Sequence, residues 1–298
     1  MSAEDGRTSG GARHADAYRG ATWLGPAPPP PPRRLSAADW LRILRRGGTL
    51  CLVLVAGLVG LLILRTIERP FSGARRPVTR VIPRVVSLLA CRLIGLHRIQ
   101  RGSPMTGPGA AVANHASWLD IFVLNAADPV LFVAKSEVAG WPGIGWLARA
   151  SGTIFVRRER GAAAEQSAEL AEAVARGDRP LLFPEGTSSD GARVLPFKPA
   201  LFAAFSGPGR APQRVQPVAL RYTAPGGEDR RVYGWWGDMG FGPHVLQVLA
   251  LPRQGTVTVA YLPPRPAGPE ACRKRLAAAC EEDIRAEHAR LAAGAPQA

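Results

Sequence analysis

The stretch AVANHASWLDIF, residues 111–122, runs from apolar residues into a polar turn and back into apolar residues. This pattern predicts a buried strand followed by a helix, and Ser117 and Asp120 fit a variant of the capping box that opens a helix. On a continuous helix, two side chains five positions apart lie about 140° from each other. His115 and Asp120 can therefore meet only when the histidine lies in the loop and the aspartate lies in the first helical turn.

Two interpretations of this pair follow. In the first, Asp120 caps the helix and His115 is an ordinary turn residue. In the second, His115 is a general base that removes a proton from a hydroxyl group, and Asp120 fixes its tautomer and orientation for attack on an acyl group. The spacing alone is compatible with both, so other parts of the chain must decide between them.

A second stretch, RPLLFPEGTSSDG at residues 179–191, has the same design of an apolar strand that ends in a polar turn. Open α/β sheets bind ligands at the carboxyl ends of their strands. Gly186 allows backbone amides to approach a ligand, Thr187 offers a hydroxyl, and Glu185 can bind a hydroxyl or hold an arginine. The sequence therefore predicts either a binding turn or an ordinary surface turn here.

A third stretch, GTIFVRRER at residues 152–160, is a predicted strand that leads into Arg157, Arg158 and Arg160. Planar guanidinium groups can donate two parallel hydrogen bonds to a phosphate. The cluster therefore predicts either a phosphate-binding site or a solvated basic edge.

From about residue 100 onward, short apolar runs alternate with helical patterns, which predicts an α/β fold with a mixed central sheet covered by helices. The predicted strands cover residues 110–113, 130–134, 153–156, 181–183, 215–221 and 256–261. The predicted helices cover residues 118–126, 142–150, 162–176 and 198–205, and a last helix, a solvated cover, spans 269–293.

The first 34 residues are rich in glycine and proline and are predicted to form a disordered tail. Residues 35–99 are predicted to attach the chain to a membrane. Within them, 47–64 is an uncharged run of about 27 Å as a helix, at the threshold for crossing a bilayer. Residues 78–99 predict a basic amphipathic helix, either in the membrane interface or packed on the protein. Residues 100–265 then form the catalytic domain, and 266–298 the C-terminal helix.

Lys and Arg number 38 against 23 Asp and Glu, which gives a net charge of +15. This balance favours an anionic partner such as a phospholipid surface or a phosphorylated substrate. The arginines are scattered among apolar and proline-rich segments without a recognition motif, which argues against nucleic acid. The four cysteines form no CxxC pair, so neither a disulfide framework nor a metal site is predicted.

Four ordered blocks in about residues 100–225 resemble those of the lysophosphatidic acid acyltransferase family, the glycerophospholipid acyltransferases. NHASWLD is similar to the family's NHxxxxD block, GTIFVRRER to its second block, FPEGTSSDG to its FPEGT block, and VQPVAL to its short fourth block around Pro217. The resemblance implies catalysis by His115 and Asp120, and acceptor binding by Glu185, Gly186, Thr187 and Arg158. Arg157, next to Arg158, is predicted to take part in acceptor binding as well.

The resemblance also implies a reaction. An acyl chain would pass from acyl-CoA or acyl carrier protein to the free hydroxyl of lysophosphatidic acid, giving phosphatidic acid, as in a 1-acylglycerol-3-phosphate O-acyltransferase. The donor is then a co-substrate, and no cofactor or metal is implied. The implied location is a bacterial inner membrane, with the catalytic domain facing the cytoplasm. The oligomeric state stays open.

Two departures from the family pattern leave the acceptor open. Arg157 stands where many members carry an acidic residue, and Ser188 stands where many carry an arginine. The stretch WWGDMGFGPHVLQVL at residues 235–249 also resembles the bacterial branch that acylates lyso-ornithine lipids, which lack phosphate. Lyso-ornithine lipid is therefore the alternative acceptor.

Two other classes of function compete. A serine hydrolase would use Ser117 or Ser188, but the chain has no GxSxG elbow. A non-catalytic basic protein of the membrane surface would account for the net charge alone.

Several aromatic and apolar residues have two possible roles. Core packing is the alternative to contact with the membrane interface for Trp235, Trp236 and Phe241, and to contact with the acyl chain for Trp141, Ile144, Trp146 and Leu147. No role is predicted for His14, His97 or His288, and that of His244 stays open.

Overall fold

A mixed β-sheet forms the centre of the molecule in the computed structural model, which describes residues 18–19, 22–73, 78–141, 143–156 and 163–294. Near the N-terminus, β1 (Tyr18–Arg19) pairs with β2 (Thr22–Trp23). The main sheet contains β3 (His97–Arg101), β4 (Gly109–Ala113), β5 (Leu131–Lys135), β6 (Ile154–Val156), β7 (Pro180–Leu182), β8 (Gln213–Thr223), β9 (Thr256–Tyr261) and β10 (Arg265–Ala267). The α-helices are α1 (Ala37–Ser72), α2 (Val81–Ile94), α3 (Leu119–Asn125), α4 (Ile144–Ser151), α5 (Ala163–Ala175), α6 (Phe241–Ala250) and α7 (Arg273–Ala292).

The main sheet has the strand order β3-β9-β8-β4-β7-β5-β6. The neighbours from β8 to β6 run parallel, whereas β9 is antiparallel to β8, and β10 pairs antiparallel with the start of β8. In the adjacent strands β4 and β7, Val112 lies opposite Leu182. Because parallel strands end at the same edge of a sheet, the polar turns after β4 and β7 lie side by side.

Both faces of this sheet are covered by helices. Every residue of β4 is buried, as expected for a parallel strand with apolar layers on both sides. Ala111 belongs to the cluster that includes Ile94 of α2 and Leu119 of α3. Val112 belongs to the opposite cluster, which includes Ile284 of α7. The predicted α/β class with a mixed sheet covered by helices is confirmed, and each predicted strand matches a strand here to within two residues at either end.

The N-terminal helices form an antiparallel pair. Helix α1 begins with a capping box between Ser36 and Asp39, and α1 is long and apolar enough to cross a membrane by length and composition. Its start is tied to α6, because Arg42 Nε donates to Ala250 O at 2.9 Å. Near its other end, Glu68 accepts a hydrogen bond from the hydroxyl of Thr79, at the start of α2.

The pair of α1 and α2 also touches the sheet domain along its length. Leu61 of α1 and Thr79 line a cavity together with Asp128, Leu131 and Ser151. The contacts of Arg42 and Leu61 with the domain mean that the pair lies along the domain rather than projecting away from it. Large apolar side chains remain exposed on α1 and α2, among them Leu44, Leu52, Val59, Ile63, Val81, Val85 and Leu89.

The predicted disordered tail is wrong for its described part. Trp23 is only 4% exposed and packs with Leu195 and Trp236. Its carbonyl accepts a hydrogen bond from Gly237 N at 3.1 Å, and Arg231 Nη1 donates to Pro28 O at 3.3 Å. One large aromatic side chain thus anchors a proline-rich segment that lacks regular structure. Residues 1–17 lie outside the described part of the chain.

Three other segments differ from the prediction. The amphipathic segment 78–99 is helical only to Ile94, where Gly95 adopts a left-handed conformation and ends the helix. His97 therefore lies on β3, which pairs with β9, so the sheet domain begins before residue 100. The helix predicted at 198–205 is a short 3₁₀ turn, Pro199–Phe202. The C-terminal helix packs Ile284 into the core instead of acting only as a solvated cover.

Candidate active site

The turn after β4 brings His115 and Asp120 together, as predicted. His115 Nδ1 lies 2.7 Å from Asp120 Oδ2. A carboxylate oxygen only accepts, so Nδ1 carries the proton and donates it. Nε2 then presents its lone pair, and it has no hydrogen-bond partner among the described residues. The His115 side chain is 20% exposed and the Asp120 side chain is fully buried, so the imidazole is accessible while its orienting group is not.

The carboxylate of Asp120 is held by four donors. Besides His115, the backbone amides of Ala116 and Ser117 donate to Oδ2 at 2.8 and 3.0 Å. The hydroxyl of Tyr222 donates to Oδ1 at 2.6 Å. Hydrogen bonds to a buried carboxylate replace the water that it loses on burial. Sequence reasoning missed Tyr222, because no local pattern links it to the turn.

The predicted capping box is only half formed. Asp120 accepts a hydrogen bond from Ser117 N, as the motif requires, but the Ser117 hydroxyl accepts from Leu119 N at 3.4 Å and not from Asp120 N. Helix α3 begins at Leu119 with Trp118 as the preceding residue. The aspartate therefore serves the turn and the histidine more than it caps the helix.

Asn114 explains why the chain leaves β4 in this conformation. Its side-chain amide donates to Leu220 O at 2.9 Å, and its side-chain oxygen accepts from Leu220 N at 2.7 Å. The asparagine thus continues the pairing with β8 through its side chain while the backbone turns away. His115 follows Asn114 directly and therefore lies at the edge of the sheet.

The turn after β7 packs against the His115 turn. The His115 ring stacks on Phe183, with ring centroids 4.0 Å apart. Glu185 Oε1 accepts a hydrogen bond from His115 N at 3.1 Å, and Ser189 N donates to His115 O at 2.9 Å. Glu185 therefore braces the backbone of the histidine, a contact that the sequence analysis did not predict for it.

The carboxyl group of Glu185 is 1% exposed, and its Oε2 has no hydrogen-bond partner within the described part of the chain. Burial raises the pKa of Glu185 well above its ordinary value, and hydrogen bonds from the backbone of His115 and Leu195 offset this only in part. The carboxyl group therefore retains hydrogen-bonding capacity that the described residues do not use.

Gly186 and Thr187 complete this turn. Gly186 has φ +69°, and a Cβ there would lie 2.5 Å from Lys198 Nζ. The left-handed backbone favours glycine at this position, and a Cβ there would displace the flexible end of the Lys198 side chain. The hydroxyl of Thr187 accepts from Trp23 N at 3.4 Å, which joins the N-terminal segment to the turn.

The two serines that a hydrolase would use are both engaged. Ser117 is fully buried, and the Ser188 hydroxyl donates to Trp235 O. Neither lies within hydrogen-bond distance of the imidazole, so the serine-hydrolase interpretation has no geometric support. Arg157 and Arg158, the predicted phosphate-binding residues, lie outside the described residues.

An aromatic cluster flanks the histidine turn. Trp141, Trp235 and Phe241 meet with ring centroids 5.6 to 5.9 Å apart, and Trp118 contacts Phe241. These contacts agree with the alternative in which the three residues pack against one another and not against a membrane. Trp236 is buried in a separate cluster. Trp146, by contrast, is 69% exposed and belongs to no core.

Two other histidines, His244 and His288, are buried and hydrogen-bonded. Trp118 Nε1 donates to His244 Nδ1 at 3.0 Å, and burial lowers the pKa of His244 to about 4. His288 lies beside Arg221, and burial together with that charge lowers its pKa to about 4. Both therefore stay neutral near neutral pH, unlike a histidine that must gain a proton during turnover.

The fold and the site place a partly exposed histidine, oriented by a buried aspartate, at the edge of an α/β sheet. The sequence profile of the acyltransferase family matches residues 92–221. The chain is 50% identical to the lyso-ornithine lipid O-acyltransferase of Rhodobacter capsulatus over 264 residues, 88% of this chain and 95% of the relative. It therefore belongs to the acyltransferase family, as predicted, and membership implies a lysolipid acceptor.

Other relatives extend the comparison. The lyso-ornithine lipid O-acyltransferase of Brucella abortus is 40% identical over 72% of this chain and 83% of its own length. The 1-acyl-sn-glycerol-3-phosphate acyltransferase of Neisseria meningitidis is 34% identical over 67% of this chain and 76% of its own length. The crystal structure of the LPA acyltransferase PlsC from Thermotoga maritima shares the fold, with a TM-score of 0.54, 22% identity, and coverage of 83% of this chain and 98% of that chain.

Proposed function

We propose that the protein transfers a fatty acyl chain to the free hydroxyl of a lyso-ornithine lipid, with His115 as general base. The observation that carries the chemistry is the 2.7 Å contact between His115 Nδ1 and the buried Asp120. It leaves Nε2 as the basic nitrogen of a partly exposed ring. A base in this state can take a hydroxyl proton without first losing one of its own.

The proposed reaction transfers the acyl chain directly, without an acyl-enzyme intermediate. His115 Nε2 takes the proton of the acceptor hydroxyl, the oxygen attacks the thioester carbonyl, and the carbon–sulfur bond breaks. The thiolate leaves with the proton that His115 gained. Asp120 stabilises the imidazolium that forms in between, because its negative charge is buried beside Nδ1. No cofactor takes part in this scheme, and acyl-CoA or acyl carrier protein is the co-substrate.

The turn after β7 is the proposed acceptor-binding wall. Glu185 holds the backbone of His115, and the lack of a Cβ at Gly186 leaves room for the Lys198 side chain close to the turn. Together with Thr187, these residues lie in or next to the turn whose Phe183 stacks on the imidazole, and they are suited to orienting a lipid head group. The predicted binding of an anionic group by Arg158 and Arg157 stays part of the proposal.

Two candidate acceptors are each supported by different observations. Two relatives named for lyso-ornithine lipid are 40% and 50% identical over most of the chain, and the stretch at 235–249 resembles that branch. Lysophosphatidic acid, which the four blocks alone imply, is the second candidate. It is favoured by the arginine cluster after β6 and by the relative from Neisseria meningitidis, which is 34% identical.

The long apolar helix and the relatives' lipid chemistry indicate membrane association. We propose that α1 and α2 attach to the inner membrane of a bacterium, with the catalytic domain facing the cytoplasm. Support comes from the apolar side chains that both helices leave exposed, such as Leu52 and Val85, and from Arg84 and Arg92 among them. A pair that lies along the domain is suited to resting in one leaflet, with the site at the surface.

The experiment compares wild type with His115→Ala and with His97→Ala, a control histidine exposed on β3. Membrane-bound protein receives labelled acyl-CoA or acyl carrier protein, with either lyso-ornithine lipid or lysophosphatidic acid. We expect His115→Ala to abolish transfer and His97→Ala to retain it. Full turnover by His115→Ala would refute the mechanism. Acylation of lysophosphatidic acid alone would refute the preferred acceptor and leave the mechanism in place.

A further inference from the structure

Tyr222 sits on the part of β8 that extends beyond β4. The pairing of the two strands ends at Val218, opposite Ala113, while β8 continues to Thr223. This extension carries the Tyr222 hydroxyl to Asp120 Oδ1, 2.6 Å away. The ring is buried at 5% exposure, so it does not offer a surface to a ligand.

We propose that Tyr222 is a positioning residue for the His115–Asp120 pair; this inference rests on the proposed function. Three of the four donors to Asp120 converge on Oδ2, and Tyr222 alone among the described residues serves Oδ1. The hydroxyl thereby prevents the carboxylate from rotating to share its donors between both oxygens. A carboxylate that cannot rotate keeps Nε2 of His115 aimed in one direction.

The electrostatics of the pair agree with this geometry. Burial and the neighbouring charge of Asp120 hold the pKa of Tyr222 well above its usual value. The phenol therefore remains a neutral donor over the whole range in which an enzyme of this kind works. Removing the hydroxyl leaves a buried, charged oxygen without a donor, a situation that proteins avoid.

Tyr233 supplies a matched control. It is also buried, and its ring centroid lies 5.5 Å from that of Tyr222. Its hydroxyl, however, donates to Gln254 Oε1 and accepts from Gly255 N, and it does not reach Asp120. Removing either hydroxyl deletes a buried hydrogen bond from the same region, but only one deletion touches the catalytic pair.

The test measures steady-state kinetics of the full-length, membrane-bound Tyr222→Phe and Tyr233→Phe variants, with the donor and the acceptor that wild type uses. We expect Tyr222→Phe to lower kcat by about tenfold, as for loss of a hydrogen bond to a charged group, with the acceptor KM within about twofold of wild type. Tyr233→Phe lowers the melting temperature but keeps kcat. Equal kcat values for the two variants would overturn the proposal.

A second measurement serves if Tyr222→Phe does not fold. Site-specific 3,5-difluorotyrosine keeps the ring and the hydroxyl but makes the phenol a stronger donor. At position 222 we expect a changed kcat, and at position 233 an unchanged one; no change at either position would overturn the inference. Activity in His115→Ala would instead overturn the proposed function, so the two failures are distinguishable.

Discussion

Two polar turns end the adjacent parallel strands β4 and β7, yet their carboxyl groups are satisfied in opposite ways. Both oxygens of Asp120 are bonded, and most of the donors come from its own turn. Glu185 accepts from His115 N through Oε1, while its Oε2 has no partner among the described residues. The turn of Glu185 is also held by distant residues, with Trp23 bonded to Thr187.

This difference separates two tasks. A carboxylate whose oxygens are all bonded has one orientation, which suits a residue that must aim an imidazole. Glu185 braces the His115 backbone through Oε1, and its Oε2, which has no partner among the described residues, keeps the capacity to bond a further group. We therefore attribute the chemical step to the turn after β4 and acceptor recognition to the turn after β7.

The largest expected effect comes from Asp120→Asn. The amide keeps most of the hydrogen-bonding geometry but removes the charge that stabilises the imidazolium, so we expect kcat to fall by about 10³-fold to 10⁴-fold. Asp190→Asn, which alters another buried carboxylate paired with Arg193, is the control and should keep kcat. Initial rates measure both. If Asp120→Asn retained a tenth of wild-type kcat or more, the aspartate would be only a helix-capping residue.

An intermediate effect is expected from Gly186→Ala, compared with Gly177→Ala. Both glycines have positive φ, so both variants should lose about 1–2 kcal/mol of stability. At Gly177 no atom lies within 4 Å of the added methyl group, whereas at Gly186 the methyl group displaces Lys198. We therefore expect a raised acceptor KM only for Gly186→Ala, with kcat retained in both variants.

Thermal unfolding and acceptor titrations distinguish these contributions. A change in kcat without a change in KM for Gly186→Ala would contradict the division between the two turns. Equal KM values for both variants would remove the turn after β7 from acceptor recognition.

The sequence predicted what depends on local spacing. The apolar runs predicted the strands that carry both turns, and the spacing of His115 and Asp120 predicted their contact. Each of these signals lies within a few residues of the chain. The family resemblance was likewise inferred from short local blocks, which lie within or next to the residues 92–221 that the family profile matches. These features need no knowledge of how distant parts of the chain meet.

Features that depend on distant partners were missed. Tyr222 bonds Asp120 across 102 positions, and Trp23 bonds Thr187 across 164. The polar strand β3, HRIQR, contains no apolar run that would predict a strand. It forms because it pairs with the edge of β9. Glu185 Oε2 lacks a partner among the described residues because of how the side chain packs, and the local sequence does not specify which groups a buried side chain meets.

The smallest expected effect is a pH dependence of stability at Glu185. Its pKa is raised in the folded state, so the folded chain holds a proton that the unfolded chain releases from about its ordinary value of 4.5 upward. The stabilising contribution is full below that value and is lost as pH rises through the raised pKa.

Glu185→Gln tests this prediction, because the glutamine keeps an acceptor for His115 N but cannot titrate. We expect the melting temperature of wild type to fall relative to that of Glu185→Gln as pH rises, because other groups cancel in the difference. Parallel curves would mean that Glu185 is already ionised and bonded like Asp120, and the contrast between the two turns would disappear.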